Sequence, residues 1–127
     1  MCLKTAYREK NNPKTDIHVY KVLIHHNGKI LAPFTRFEYR LDEVLTDTAE
    51  ETTKQKKAYK ILGQGYFHAC TSLSEAKELI SRSLSKISRE KVFIYKAIVS
   101  CKTKYYIDNG GNICSKSIKV LSETFDI

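Results

Sequence analysis

Short apolar runs alternate with polar breaks along the chain, and the period of each run says what it forms. Ile17-His18-Val19-Tyr20-Lys21-Val22-Leu23-Ile24 is rich in β-branched and aromatic residues and predicts a strand. His25-His26-Asn27-Gly28-Lys29 follows, and Asn-Gly supplies the positive φ angles of a tight hairpin turn. Lys29 to Phe34 is then the returning strand, with Pro33 pushing its end towards an edge. Arg36 to Leu41 alternates polar with apolar, the period of a half-buried strand. Val92 to Val99 is nearly continuous in apolar residues, which predicts a central strand covered on both faces. Lys104 to Ile107 and Ile113 to Leu121 flank the turn signal Asp108-Asn109-Gly110-Gly111 and predict a hairpin.

One segment has the helical period. Ser72 and Glu75 make the reciprocal S-x-x-E cap, and Leu73, Ala76, Ile80, Leu84 and Ile87 form one apolar stripe behind it. Ala58 to Leu62 and Tyr66 to Cys70 precede it as short strands or one interrupted strand, broken by Gly63 and Gly65. Strand 66–70, a helix over 73–88 and strand 92–100 together have the length of a βαβ unit. Either its strands pair in parallel, or the helix leads to the other half of a split sheet. Residues 1–15 read as an irregular lead-in. Residues 42–57, acidic first and basic at the end, read as an exposed loop or weak helix. The expected fold class is α+β: a mixed, mainly antiparallel sheet with one principal amphipathic helix packed on it.

The totals narrow this picture. A chain of 127 residues fits a single domain, 1–127. With 42% hydrophobic and 28% charged residues, it has the composition of a globular protein rather than a disordered one. No apolar run approaches the ~20 residues that span a bilayer, so no membrane partner is expected. The polar start lacks the apolar segment of a secretory signal, and a cytoplasmic location is the expectation. Cys2, Cys70, Cys101 and Cys114 are then expected as reduced thiols.

The net charge of +8 points to an acidic partner: a protein surface, nucleic acid or a nucleotide-like ligand. The candidate contacts are Lys77, Arg82, Lys86 and Arg89, which lie off the helix's apolar stripe, with Lys54, Lys56 and Lys57 before it. Arginine, the better reader of phosphate and guanine, is scarce beside lysine.

Catalytic patterns are incomplete. His68-x-Cys70 puts two side chains on one side of a strand, but zinc sites show two close ligand pairs, and no metal is expected. Loss of Met1 would expose Cys2 with its own amine as base. That start resembles amidotransferases and abasic-site crosslinking proteins, except that Leu3 stands where they have glycine. Gly63-Gln64-Gly65 stops short of a dinucleotide loop, and no cofactor is expected.

Gly63-Gln64-Gly65-Tyr66-Phe67-His68, then Ser72-Leu73-Ser74-Glu75-Ala76 and the strand Val92 to Val99, resembles the middle of ADP-ribosyltransferase-like domains. The resemblance covers about 35 residues. It implies a cleft near Tyr20, Tyr66 and His68, and a divergent enzyme of that kind is the alternative to a binding protein. The family's Ser-Thr-Ser and Glu-x-Glu segments are missing. The plan as a whole, from Met-Cys-Leu to the Tyr-Tyr-Ile hairpin, also resembles small proteins of bacteriophages and gut bacteria. That likeness implies an accessory role, such as antagonism of host defence.

Overall fold

The computed structural model describes residues 8–10, 16–34, 36–46, 67–100, 105–107 and 110–127. Among these residues, nine strands and one α-helix follow in the order β1 (Arg8–Lys10), β2 (Ile17–His26), β3 (Lys29–Leu31), β4 (Val44–Thr46), β5 (Phe67–Cys70), α1 (Leu73–Ser83), β6 (Val92–Val99), β7 (Tyr105–Ile107), β8 (Asn112–Ser115) and β9 (Ser117–Phe125). The strands form one sheet in the order β1-β7-β8-β5-β2-β6-β9-β4, with β3 also paired to β2. The described pairings between strands are all antiparallel, so the described residues are mostly antiparallel sheet with one α-helix. This is the expected α+β class at that level.

Local chemistry explains the best-defined elements. Asn27 (φ 50°) and Gly28 (φ 74°) both take positive φ, and the β2–β3 hairpin closes on them as Asn-Gly predicts. Ser72 caps α1 by accepting the Glu75 amide at 3.2 Å. The helix ends at Ser83, short of the expected 88: the Leu84 amide still reaches the Ile80 carbonyl, after which Ile87 turns back to Leu84. Gly111 (φ 78°) ends the link into β8, and its carbonyl accepts from both the Thr71 amide and the Thr71 hydroxyl.

The split-sheet alternative is the one realised. β5 and β6 each run antiparallel to β2, so they are parallel to each other with β2 between them, and α1 crosses over from one to the other. Two other expectations change. The lead-in contains a strand, β1, paired to β7, and the 42–57 segment begins with the edge strand β4, paired to β9. Positions 36–41 make only a single bridge, Leu31 to Glu38, because Arg36 and Asp42 at either end turn the chain out of extended geometry with φ 63° and 60°.

The 113–121 segment departs most from its expectation. It begins in one strand, β8, and continues in another, β9, with Lys116 alone between them. Yet the order β8-β5-β2-β6-β9 puts four inter-strand steps between these neighbours. At ~4.8 Å per step a flat sheet would hold them ~19 Å apart. Two residues of chain reach only ~7 Å. The sheet therefore curls until β8 and β9 meet at the corner, where the Ser115 hydroxyl donates to the Ser117 carbonyl at 2.7 Å. The corner also breaks the alternation: Ile113 and Ile118, of opposite parity, share one buried cluster.

That cluster is the concave interior. Val19, Leu23, Phe67, Ala69, Tyr95, Ala97, Val99, Ile113, Ile118 and Val120 enter it from all five curled strands. A second cluster on the outer side joins Val22, Ile24, Val92 and Ile94 with Ala76, Leu79, Ile80 and Leu84 of α1.

Candidate functional site

On the outer side, strand register sets out a row of side chains away from the α1 cluster. His18 of β2 faces Ile98 of β6, Ile98 faces Lys119 of β9, and Lys119 faces Val44 of β4. The row crosses three inter-strand gaps, about 14 Å at normal spacing. One step closer to the helix, Tyr20 is paired in register with Lys96. Even-numbered positions of β2 and β6 point outward here, so these residues share one surface.

This surface is open. His18 and Val44 are exposed, while Tyr20, Lys96, Ile98 and Lys119 are half-buried. The expectation that β6 is covered on both faces holds for the interior and for Val92 and Ile94, but not at Lys96 and Ile98. Opposite Lys96 the register slips: Tyr95 pairs with Thr124 but Ala97 with Val120, so Leu121 to Glu123 bulge out. The bulge lets Glu123 reach Lys96, Oε2 to Nζ 3.7 Å. With Lys96 half-buried and Glu123 exposed, solvent still screens the pair, and the contact is worth at most ~1 kcal/mol. Lys119 takes no ion-pair partner among the described residues. At the inner border of the surface, the Tyr20 ring meets Phe125 edge-on at 5.2 Å.

The residues expected from sequence are placed differently. Lys77, Arg82 and Lys86 are exposed, but they do not form one face. Five positions on a helix turn by about 140°, so Lys77 and Arg82 diverge, and Arg82 lies 3.8 Å from Glu78. Lys86 and Arg89 fall beyond the end of α1, Arg89 in a 3-10 turn. Lys54, Lys56, Lys57 and Tyr66 lie outside the described residues. Tyr20 and His68 do stand on adjacent strands, β2 and β5, with Tyr20 in register with Cys70.

The interior holds two polar devices. Lys21 is buried; its Nζ donates to the His68 carbonyl and lies 5.0 Å from the centroid of the Tyr39 ring. His25 stacks on Phe93 at 4.0 Å and hydrogen-bonds the Tyr95 hydroxyl at 2.5 Å. Burial holds the Tyr95 phenol above its usual pKa and so in its neutral form. Both devices engage aromatic rings, Tyr39 in the first and Phe93 and Tyr95 in the second.

The Cys70 thiol is held neutral in the same way. Cys114 faces His68 across β5 and β8, and Cys70 follows two residues on. Burial pushes the Cys70 thiol from 9.0 up to about 11. At pH 8 native Cys70 is expected to resist iodoacetamide and to react readily once unfolded, because the thiolate is the nucleophile. Mass-spectrometric mapping of alkylated cysteines checks this. The same shift has a sign: its stabilising effect is complete below pH 9.0 and is lost as pH rises towards about 11. Among the described residues no group of three or more His, Cys, Asp or Glu side chains stands placed to hold a metal ion, and no helix is long and apolar enough to cross a membrane.

The outer row was missed because its signal is weak. Lys96 interrupts an otherwise apolar strand, and Lys119 interrupts Ile118 and Val120. Each reads as alternation within its own segment; only register brings them side by side. Comparison with known protein families, curated proteins and solved structures finds no match.

Proposed function

We propose that this protein is a small non-enzymatic binding module that recognises an acidic partner. The contact surface is the open outer side of β2, β6 and β9. α1, packed over the other end of that side, serves as scaffold rather than as reader. One observation carries the reading: register gathers His18, Lys96 and Lys119 around Ile98 on a surface that stays partly solvated. The total charge of +8 supports it, because a basic surface steers anionic partners at long range.

The test compares two charge reversals of equal size. Lys96→Glu/Lys119→Glu and Lys77→Glu/Arg82→Glu change the net charge identically. On a heparin column the first pair is expected to elute at markedly lower salt than the wild type, and the second pair to shift much less. Equal shifts would mean that only the total charge matters, and the surface would lose its role.

A further inference from the structure

Resting on that reading, the surface can be assigned a narrower partner. We infer that it binds single-stranded nucleic acid, without sequence preference.

The argument begins with what the surface lacks. β6 is paired to β2 and β9, and β9 to β6 and β4, so the strands that carry Lys96, Ile98 and Lys119 have both edges occupied. An extended acidic peptide would find a strand edge to join only at the ends of the row, such as β4 among the described strands; lying across the lysines it could add no main-chain hydrogen bonds to the sheet. A nucleic-acid single strand has no such requirement. It needs cations for its phosphates and apolar surface for its bases.

Both are present at suitable places. Lys119 and Lys96 are diagonal neighbours on adjacent strands, with Ile98 directly beside Lys119. Such diagonals are ~7–8 Å apart at Cα, within easy reach of flexible lysine side chains. Ile98, Val44 and the Tyr20–Phe125 pair supply the apolar ground between and beside them. Lysines are point charges without the planar fork that reads guanine, which suits contact with the backbone rather than with base edges. A duplex fits less well, since a stacked helix keeps its base faces away from Ile98 and Tyr20.

Glu123 gives the inference a distinctive consequence. Its carboxylate sits 3.7 Å from Lys96 and competes with a phosphate for it. Removing that charge should tighten the complex, the opposite of what lost scaffolding would do.

The experiment is fluorescence anisotropy with labelled 12-mers of oligo(dT) and oligo(rU), a 12-bp duplex and polyglutamate, from 50 to 300 mM salt. Both single strands are expected to bind with similar affinity and more tightly than the duplex. The slope of log K against log salt should flatten by about 0.7 for each lysine lost in Lys96→Ala and Lys119→Ala. Glu123→Gln should tighten oligonucleotide binding several-fold. Polyglutamate bound through Lys96 and Lys119, with the oligonucleotides unbound, would sink this inference and leave the acidic-partner reading standing. Binding of neither would sink both. Oligonucleotides bound with slopes unchanged in both lysine variants, or weakened by Glu123→Gln, would also overturn the assignment. Circular dichroism of each variant separates lost binding from lost fold.

Discussion

Leu23→Ala is expected to lower the free energy of unfolding by about 2–5 kcal/mol, the usual cost of emptying a fully buried leucine site. Leu23 is completely buried on the central strand β2, inside the concave cluster fed by every strand of the curl. Neighbours on β5, β6, β8 and β9 are tied by hydrogen-bonded register and by the Ser115–Ser117 corner, so they cannot collapse into the space. That rigidity places the cost in the upper part of the range. For a domain of ordinary stability, about 5–15 kcal/mol, the loss is a large fraction of the total. Urea unfolding followed by circular dichroism measures it. A loss well under 1 kcal/mol would mean that the interior is not packed as described.

Lys21→Ala should be the second costly change, at about 2–4 kcal/mol, from a lost charge-assisted hydrogen bond and an unfilled stem volume. The lysine is buried in the interior, where its Nζ donates to the His68 carbonyl and faces the Tyr39 ring. Most of its buried surface is aliphatic stem, and burying the ammonium itself is unfavourable unless its contacts offset the desolvation. Lys21→Met keeps the stem and removes the charge, so it should recover much of what alanine loses. The same unfolding experiment separates the two contributions. If methionine is as damaging as alanine, the ammonium and not the stem holds Tyr39 and the β5 carbonyl in place.

The two predictions concern positions that look alike in sequence. Leu23 and Lys21 both belong to the inward parity of β2, and simple alternation would send a lysine outward. Lys21 points inward because its neighbours Tyr20 and Val22 belong to the outer side, next to the α1 cluster. A carbonyl and a ring face supplied by distant segments make that placement tolerable. No local pattern could announce those partners, since His68 is 47 residues away from Lys21.

Local chemistry in the chain was enough to specify several elements: the β2–β3 turn through Asn27-Gly28, the start of α1 through Ser72 and Glu75, and β6 through its run of branched apolar residues. These depend on contacts within a few residues, where backbone preference and capping act directly. The curl of the sheet, the corner at Lys116 and the row of His18, Ile98, Lys119 and Val44 were decided by tertiary structure alone. Each of them is a matter of which strand lies beside which. Strand pairing is fixed by the joint burial of residues far apart in sequence, and alternation within one segment carries no record of its neighbour.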